Sequence, residues 1–447
     1  MSGAASLLDV TSDDVGKLDD KKLRELIALL CEAEAERNGF PRTAVTSGGH
    51  QDAPDGGVDV RVELATLEWS GNIPKPLTIF QSKDSEMGPA KIQAEMRPGG
   101  VLRTVIFEVL SRGGAYVIVS NRDNASDLAY QGRKTAMENA VSAEFPDHRG
   151  ALQFYDRSRL ATWTRSHPGV VLWLRNAIGR PLHGWKTWAE LQSIYDTKFL
   201  VDDVVRLRTP QLPNTEDMGM LDGISCLRLA LRLEGSSVRL AGLSGVGKTR
   251  LVQALFDPTV GTDALPSHEF VYTDISDDPI PAPLEICRQL HAEGRSTIVV
   301  VDNCPPELHT KLTNYVAQSK CRIRLLTVEY DVREEEYEET SVFRMEPASV
   351  DLVENLIRIR FPELRSPDPH IIAEFSGGNA RVAISLAKTV NRGETLSGLK
   401  KGDLFRRLFH QRNEISEELL TVARCCSLVY SFEFENKNGY SSELLVL

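Results

Sequence analysis

The chain has 447 residues, which at about 150 residues a domain predicts roughly three domains. Its 41% hydrophobic and 26% charged residues are typical of a globular protein and exclude a disordered one. The 52 Lys and Arg against 63 Asp and Glu give a net charge of −11, which argues against a protein that coats nucleic acid or an anionic membrane with its whole surface.

The sequence carries no sign of export or of membrane insertion. No run of about 20 apolar residues is present, and the N-terminus lacks a basic segment followed by an apolar one. The seven cysteines do not have the spacing of metal ligands. We therefore expect a cytoplasmic protein with reduced thiols, with no membrane partner and no structural zinc.

The first 178 residues predict a compact α/β domain. Apolar residues recur at helical spacing over 17–37 and stop at Asn38-Gly39, which predicts an amphipathic helix with a C-terminal stop signal. Four of the five tryptophans lie between Trp163 and Trp188, where core packing is favoured over an aromatic platform for bases. The other predicted elements are strands over 58–64 and 77–83, a helix over 101–111, a strand over 115–120 and a helix over 125–142.

From about residue 236 the pattern changes to repeated strand–loop–helix units. Near-continuous apolar runs such as STIVVVD are typical of central parallel strands. The acidic stretch 331–339 is interpreted as a solvated loop or helix face, and the chain from 347 onward as helical. The predicted strands are 237–241, 269–275, 296–302, 321–329 and 341–346. The predicted divisions are a linker over 179–215, a P-loop core over 216–346 and a helical subdomain over 347–395.

Residues 242–249, GLSGVGKT, match G-x-x-x-x-G-K-[ST] between a predicted strand and a predicted helix. The glycines let backbone N–H groups face phosphates, Lys248 supplies a positive charge to the β- and γ-phosphates, and Thr249 offers a hydroxyl to Mg²⁺. In this context a chance glycine-rich turn is a poor alternative. The sequence therefore predicts a site for ATP and Mg²⁺, with the nucleotide-binding residues Gly242, Leu243, Ser244, Gly245, Val246, Gly247, Lys248, Thr249 and Arg250.

A partner carboxylate follows in the motif STIVVVDN. Asp302 ends an apolar strand, where a Walker-B acid reaches the Mg²⁺ shell, so Thr249 and Asp302 are the predicted Mg²⁺ ligands of the nucleotide site. The next residue is Asn303, where many ATPases carry a second acid. Without that acid we expect slow hydrolysis, which fits a nucleotide switch better than a motor.

A second constellation lies in the N-terminal domain. GGVD opens one predicted strand and QSK ends the next, so adjacent strands would bring Asp59, Gln81 and Lys83 together. Asp59 would bind a divalent metal, Gln81 would add its amide oxygen, and Lys83 would orient the attacking water and offset charge on a phosphate. A helix carboxylate, Glu34 in first place and Glu32 in second, would complete the metal shell. Each motif alone is commonplace, but together they predict a metal-dependent nuclease.

Two segments carry a resemblance to known families. The order of acid-bearing helix, G-x-D strand and Q-x-K strand resembles the Mrr-like branch of the PD-(D/E)xK nucleases, in which Gln replaces the second acid. The segment FSGGNAR, which ends at Arg381, resembles the GxP-type segment of STAND NTPases but lacks the usual proline. Glu329 lies near the position where a sensor arginine is common in that class. Arg381 is interpreted either as a nucleotide contact or as an arginine on the helix surface.

Taken together, the domains resemble the antiviral STAND (Avs-type) NTPases. The resemblance implies an α/β fold class, in which a restriction-endonuclease-like PD-(D/E)xK domain precedes a P-loop STAND NTPase core with helical segments and the start of a winged helix over 396–447. It implies that a phage protein and ATP drive homo-oligomerisation, for example to a tetramer, and activate Mg²⁺-dependent cutting of double-stranded DNA. The phage protein would bind a repeat sensor that this chain lacks, so we expect a truncated product or a fragment.

Two other functions stay open. An ATP-dependent restriction endonuclease that acts by translocation would need rapid hydrolysis, against which Asn303 speaks. A non-catalytic, nucleotide-gated scaffold would carry an inactive nuclease fold, against which the D…QxK residues speak. Residues 75–134 hold nine Lys and Arg against six Asp and Glu, so we expect weak DNA binding by a monomer and tight binding only when several clefts act together.

Overall fold

The computed structural model of the chain contains two sheet domains and a helical subdomain. The described residues are 8–47, 58–66, 71–147, 151–194, 198–201, 204, 206–209, 217–329, 340–390, 395–410 and 421–422. The acidic stretch 331–339 and most of the region assigned to a winged helix lie outside them. None of the helices within these ranges is long and apolar enough to cross a membrane.

A five-stranded mixed sheet forms the centre of the N-terminal domain. Its strands are β1 (Val45–Ser47), β2 (Val60–Glu63), β3 (Leu77–Lys83), β4 (Ala115–Ser120) and β5 (Leu152–Tyr155). They lie in that order across the sheet; β1, β2 and β3 pair antiparallel, and β3, β4 and β5 run parallel. In this register Val60 lies opposite Phe80, which brings the start of β2 beside the end of β3.

Helices cover both faces of this sheet. They are α1 (Ser12–Val15), α2 (Asp20–Arg37), α3 (Pro89–Met96), α4 (Thr104–Ser111), α5 (Asp127–Val141), α6 (Arg157–Arg165) and α7 (Pro168–Ala177). Helices α2, α6 and α7 pack on the face that carries Phe80, and α3, α4 and α5 pack on the face that carries Ile79 and Tyr116. Because side chains alternate along a strand, Phe80 and Gln81 point to opposite faces of β3.

All six elements predicted for this domain are present. The predicted bounds of β3 and β4 match those of the structure, and the helix predicted over 17–37 is α2. The Asp19 side chain caps α2 by accepting a hydrogen bond of 2.8 Å from the Lys22 backbone N–H. Trp163 belongs to the core, with its ring centroid 6.1 Å from that of Phe80 and 6.3 Å from that of Tyr155. The favoured interpretation of this tryptophan is therefore confirmed.

An eight-stranded sheet forms the centre of the second domain. Its strands are β6 (Trp185–Lys186), β7 (Leu207–Arg208), β8 (Asp217–Met218), β9 (Ser237–Ala241), β10 (Phe270–Asp274), β11 (Thr297–Asp302), β12 (Ile323–Val328) and β13 (Ser341–Met345). Their order is β6-β10-β11-β12-β9-β13-β7-β8, and the five strands from β10 to β13 in this order are parallel. These five are the predicted strands. Strand β12 lies between β9, which leads into residues 242–249, and β11, which ends at Asp302.

Five helices accompany this sheet. They are α8 (Trp188–Ser193), α9 (Met220–Ala230), α10 (Lys248–Leu255), α11 (Pro283–Ala292) and α12 (Pro306–Val316). Short 3-10 turns occupy Ser267–Glu269 before β10 and Ile275–Asp277 after it. Strand β11 is buried along its whole length, as its continuous apolar sequence predicts for a central parallel strand.

The segment predicted as a linker, 179–215, contributes edge strands to this sheet. Strand β6 pairs antiparallel with β10, and β7 pairs antiparallel with β13. The Trp188 indole N–H donates a 3.2 Å hydrogen bond to the Gln253 carbonyl, which holds α8 against the P-loop helix. The linker prediction is therefore wrong for these elements. Two-residue strands are too short to show a periodicity, and their pairing depends on the sheet edge that they cover.

A helical subdomain follows the sheet. Its helices are α13 (Val350–Arg360), α14 (Asp368–Ser376), α15 (Ala380–Ala387) and α16 (Lys401–His410). Leu396 and Leu404 are buried in the same apolar cluster as Val353 and Ile372. The boundary predicted at residue 396 therefore falls inside one core, and the first described part of the region assigned to a winged helix belongs to the helical subdomain.

The two sheet domains share one apolar core. A single cluster contains Val171 and Leu174 of α7 together with Val271, Ile286 and Val299 of the second domain. At Gly169 of α7, an added Cβ would lie 2.9 Å from the Ser267 carbonyl oxygen, so the helix approaches the 267–269 turn as closely as a glycine permits. The N-terminal domain is therefore docked directly on the second sheet domain.

Candidate functional site

The loop between β9 and α10 has the geometry of a phosphate-binding loop. Gly242, Gly245 and Gly247 have φ values of 149°, 87° and 107°, in the region that favours glycine. An added Cβ at Gly242 would lie 2.6 Å from the Met345 carbonyl oxygen, so the loop also needs a glycine there for space. The loop ends at the N-terminus of α10, where the helix dipole favours a bound anion.

Lys248 reaches back over this loop. Its Nζ donates hydrogen bonds to the Gly242 carbonyl at 2.7 Å and the Leu243 carbonyl at 2.9 Å. Burial lowers the pKa of Lys248 to about 8, while the negative charge of Asp302 acts in the opposite direction. A phosphate beside this ammonium would stabilise its charged form. The Lys248 ammonium therefore lies over the backbone of the loop.

Thr249 and Asp302 meet at the mouth of the loop. The Thr249 hydroxyl donates a 2.6 Å hydrogen bond to Asp302 Oδ2, and the Tyr272 hydroxyl donates to the same oxygen at 3.0 Å. Burial raises the pKa of Asp302, and these hydrogen bonds oppose the shift. A hydroxyl and a carboxylate are hard oxygen donors of the kind that Mg²⁺ prefers beside nucleotide phosphates. The two side chains fit a magnesium ion.

The helical subdomain closes over the loop through two side chains. Asn379 Nδ2 donates a 2.7 Å hydrogen bond to the Ser244 carbonyl, and Arg381 Nη1 donates one of 3.0 Å to the Ser244 hydroxyl. The Arg381 backbone N–H also donates to the Gly245 carbonyl at 3.3 Å. Arg381 therefore lies on the phosphate-binding loop. Glu329 is held elsewhere, in a buried ion pair with Arg239 of β9.

A cavity of about 540 Å³ joins these elements. Its walls include Ile194 and Phe199 on one side and Leu352 and Ile384 of the helical subdomain on the other. Arg250 also lines it, with its guanidinium 5.8 Å from the Phe199 ring centroid. A cavity of this size with apolar walls and a phosphate-binding loop suits a nucleotide.

The predicted nuclease residues lie at the carboxyl end of β3. Asp59 Oδ2 accepts hydrogen bonds from the Ser82 backbone N–H at 2.7 Å and the Ser82 hydroxyl at 2.9 Å. Its other oxygen lies 3.0 Å from Arg24 Nε of α2. These contacts hold Asp59 directly beside the Q-x-K segment, as the strand pairing predicts.

Gln81 and Lys83 meet a carboxylate that the sequence analysis did not identify. Gln81 Nε2 donates a 2.7 Å hydrogen bond to Glu95 Oε1, and Lys83 Nζ lies 3.0 Å from Glu95 Oε2. Arg103 Nη2 lies 2.7 Å from Glu95 Oε1. Burial acts to raise the pKa of Glu95, but Lys83, Gln81 and Arg103 outweigh it and lower the pKa. Glu95 is therefore ionised beside the predicted catalytic lysine.

Tyr116 joins this cluster from β4. Its hydroxyl donates a short hydrogen bond to Gln81 Oε1. Burial raises the pKa of Tyr116, and the negative charges of Glu95 and Asp59 both contribute in the same direction. Two carboxylates and an amide oxygen are hard donors that fit a divalent cation.

Glu34 does not join this cluster, so its predicted place in the metal shell is wrong. Its Oε1 accepts a 3.0 Å hydrogen bond from the Trp163 indole N–H and lies 3.4 Å from His167 Nε2. Arg24, which contacts Asp59, lies ten residues or roughly 15 Å earlier on the same helix. Glu34 is buried on the Phe80 face of the sheet, whereas Gln81 points to the other face.

Glu32, the second choice, is half-buried on α2, where burial raises its pKa. Among the described residues, no group of three or more His, Cys, Asp and Glu side chains is arranged to hold a metal ion. The cluster at β3 is thus limited to two carboxylates, Asp59 and Glu95, beside the amide of Gln81.

Comparisons with known proteins give a distant likeness of fold. The sequence matches no family model and no curated protein. The chain is similar to C. elegans PCH-2, with 11% identity, a TM-score of 0.30 and coverage of 44% of this chain and 64% of that chain. It is also similar to a STAND protein with a tetratricopeptide repeat sensor from Pyrococcus horikoshii, with 13% identity, a TM-score of 0.27 and coverage of 53% and 40%.

A third similar structure is the FIGL-1 AAA domain in complex with ADP, with 11% identity, a TM-score of 0.28 and coverage of 54% of this chain and 96% of that one. The chain spans less than two thirds of the length of the first two. At these TM-scores the likeness assigns nothing by itself. The strand order, the loop dihedral angles and the Thr249–Asp302 contact of this chain are those of a P-loop NTPase fold.

Proposed function

We propose that this chain is a nucleotide-dependent switch that controls a Mg²⁺-dependent DNA endonuclease. The observation that carries the proposal is the presence of two chemically distinct clusters in domains with a common apolar core. One cluster is the phosphate-binding loop with Thr249 and Asp302, and the other is Asp59 with Gln81 and Lys83. A change in the nucleotide-binding domain can reach the N-terminal domain because described residues of both pack in that one core.

In the nucleotide site, the loop amides and Lys248 would bind the phosphates of ATP, and Thr249 with Asp302 would hold Mg²⁺. Asn379 and Arg381 contact the same loop from the helical subdomain. A γ-phosphate compatible with only one arrangement of these contacts would shift the population between two positions of that subdomain. Such a shift is the proposed switch.

In the nuclease site, Asp59 and Glu95 would hold a divalent cation together with the Gln81 amide oxygen. A cation bound there would polarise the scissile phosphodiester. Lys83 would orient the attacking water and offset the charge that develops on the phosphate. Lys83 and Arg24 form ion pairs with the two carboxylates, which supports a resting state in which these charges are balanced before a cation binds.

The partners that we propose follow from the same scheme. Double-stranded DNA would be the substrate, and assembly into a homo-oligomer, for example a tetramer, would bring together on it several nuclease domains, each with the mildly basic segment 75–134. A sensor would bind a phage protein and start the assembly, which would make the protein part of an antiviral defence. The negative net charge of the whole chain supports weak DNA binding before assembly.

The test is a plasmid-cutting assay with Mg²⁺, with and without ATP, over a range of protein concentrations that favours assembly. We expect Mg²⁺-dependent cutting that rises with ATP and with concentration. Lys83→Ala should remove the cutting, because the attacking water and the phosphate lose the ammonium group that orients and stabilises them. Lys248→Ala should remove the ATP dependence. Lys91→Ala on α3 and Lys311→Ala on α12 are matched controls, since both lysines are exposed.

Cutting by Lys83→Ala at the rate of the unchanged protein would reject the nuclease assignment. Plasmid that stays intact at every concentration, while ATP still binds, would favour the non-catalytic scaffold instead. Rapid ATP turnover that DNA stimulates would favour translocation.

A further inference from the structure

Two carboxylates stand side by side at the carboxyl edge of the P-loop sheet. Strands β10 and β11 are parallel neighbours, and their register places Asp274 opposite Asp302. Each is the last residue of its strand, and both line the nucleotide cavity. Asp302 is the partner of Thr249, whereas no role has yet been given to Asp274.

Asn303 links the two strand ends. Its φ is +52°, a left-handed conformation that Asn tolerates better than most residues. This conformation directs its side chain to β10, where Nδ2 donates hydrogen bonds of 2.9 Å to both Asp274 oxygens. Asn303 stands where a second acid is common, but an amide cannot accept a proton at neutral pH. Its contacts instead orient the neighbouring carboxylate.

The two carboxylates differ in the capacity of their oxygens to accept further hydrogen bonds. Asp302 Oδ2 accepts from the Thr249 and Tyr272 hydroxyls, and Asp302 Oδ1 accepts from the Asn303 backbone N–H at 2.9 Å. Asp274 Oδ1 accepts from the Ser276 backbone N–H at 2.9 Å, while Oδ2 accepts from Asn303 Nδ2. A carboxylate oxygen has two lone pairs, so Asp274 Oδ2 retains acceptor capacity at the cavity wall.

We propose that Asp274, oriented by Asn303, is the general base for ATP hydrolysis in this chain. A water molecule attacks the γ-phosphorus, the bond from that phosphorus to the bridging oxygen breaks, and ADP leaves with the bond's electron pair. The water's proton passes to Asp274 Oδ2 and then to solvent, so ATP and water become ADP, phosphate and a proton. This inference rests on the nucleotide site of the proposed function, but not on the nuclease.

The test is Asp274→Asn in the full chain, assayed with ATP and Mg²⁺. Asn keeps the side-chain oxygen that accepts from the Ser276 backbone N–H, so the turn after β10 and the melting temperature should be preserved. Because an amide cannot take the proton, we expect the turnover number to fall by about 100-fold or more. The affinity for ATP, measured by binding of a fluorescent analogue without turnover, should not change.

Two further variants complete the experiment. Asp278→Asn is the matched control. Asp278 is exposed four residues after Asp274, and the substitution makes the same chemical change. Asn303→Gly removes the orienting amide where a glycine accepts the positive φ, and its turnover should fall about tenfold at unchanged ATP affinity. A fall in Asp278→Asn equal to that in Asp274→Asn would overturn the inference.

Other outcomes separate this inference from the proposed function. Failure of the unchanged protein to bind ATP would reject the proposed switch itself. Binding without hydrolysis, or hydrolysis by Asp274→Asn at the unchanged rate, would overturn the inference on Asp274 and leave the switch intact. Loss of ATP affinity in Asp274→Asn would also overturn it, because the carboxylate would then serve binding rather than proton transfer.

Discussion

At the residue scale, the nuclease proposal depends on which carboxylate accompanies Lys83. Glu95 lies 3.0 Å from Lys83, whereas Glu34 contacts Trp163 across the sheet. We expect Glu95→Gln to lower Mg²⁺-dependent DNA cutting by about 100-fold, since the substitution removes a charge from the metal site. Glu34→Gln should cut at nearly the unchanged rate, because Gln still accepts from the Trp163 indole. Initial rates of plasmid nicking measure both.

Glu108→Gln on α4 serves as the control, because this glutamate is exposed on the same side of the domain. If Glu34→Gln lost its activity while Glu95→Gln kept it, the assignment that the contacts support would be reversed. A melting temperature for each variant separates lost chemistry from lost folding.

The residues of the phosphate-binding loop could be predicted from the sequence, because they are contiguous and their backbone angles demand glycine at fixed spacing. Glu95 and Asp274 could not. Each carboxylate reaches its site because a separate helix or strand packs beside the strand that carries the motif. Glu95, for example, lies fourteen residues after Gln81 and contacts it from another element. An acid near the end of the short helix that follows the Q-x-K strand was the available signal for Glu95.

At the element scale, Asn379 joins α15 to the phosphate-binding loop. Its Oδ1 caps the helix by accepting from the Arg381 and Val382 backbone N–H groups, both at 3.1 Å, and its Nδ2 donates to Ser244. Asn379→Asp keeps the cap and removes the donor. A lost hydrogen bond of about 1 kcal/mol would speed nucleotide release roughly fivefold, which stopped-flow fluorescence measures.

Asn379→Ala removes both functions and should also lose about 1 kcal/mol of helix stability. Release rates for Asn379→Asp equal to those of the unchanged protein would show that this contact does not restrain the loop. The comparison thus separates the cap from the closure of the subdomain.

Also at this scale, α7 is the helix that docks the two domains. An added Cβ at Gly169 would lie 2.9 Å from the Ser267 carbonyl oxygen and 3.0 Å from that of His268. We expect Gly169→Ala to destabilise the protein by about 1–3 kcal/mol through overpacking. Gly132→Ala on α5 is the control, since its nearest neighbour would lie 3.9 Å away and alanine favours a helix. Urea unfolding of both variants measures the difference.

An equal or higher urea midpoint for Gly169→Ala than for Gly132→Ala would show that the contact between α7 and the 267–269 turn yields easily. If the proposed coupling is correct, Gly169→Ala should also weaken the ATP dependence of DNA cutting. Gly132→Ala should not.

At the scale of the whole molecule, two buried histidines make stability depend on pH. Burial lowers the pKa of His167 to about 4, against the opposing charge of Glu34. Burial and the charge of Arg239 lower the pKa of His309 to about 4. Both are neutral in the fold and take up a proton below about pH 6.5 when unfolded. The contribution of these neutral histidines to the free energy of unfolding is therefore complete above pH 6.5 and is lost as the pH falls towards 4.

Between pH 7.5 and pH 5 we expect each histidine to lower the free energy of unfolding by about 2 kcal/mol. Urea midpoints across this range measure the fall. His309→Asn, which cannot take up a proton, should show a smaller dependence on pH than the unchanged protein. Identical dependences would show that His309 titrates normally in the fold.

The sequence by itself determined the local features of this protein. The strand–loop–helix of the P-loop, the end of β11 at Asp302 and the alternation in LTIFQSK depend on dihedral preferences and periodicity over a few neighbouring residues. The six elements predicted in the N-terminal domain and the five parallel strands follow from the same short-range physics. A repeat of apolar residues shows which face of a helix is buried, but not which surface it meets.

Only the tertiary structure decided which distant groups meet. The face of β3 on which α3 packs brings Glu95 to Lys83 and leaves Glu34 on the other side. The strand order sets Asp274 beside Asp302, and the sheet edges pair with β6 and β7 from the segment predicted as a linker. Helix α7 shares an apolar core with the P-loop domain. These arrangements depend on which apolar surfaces cover one another. That is a property of the whole packed chain and is not encoded in any short stretch of it.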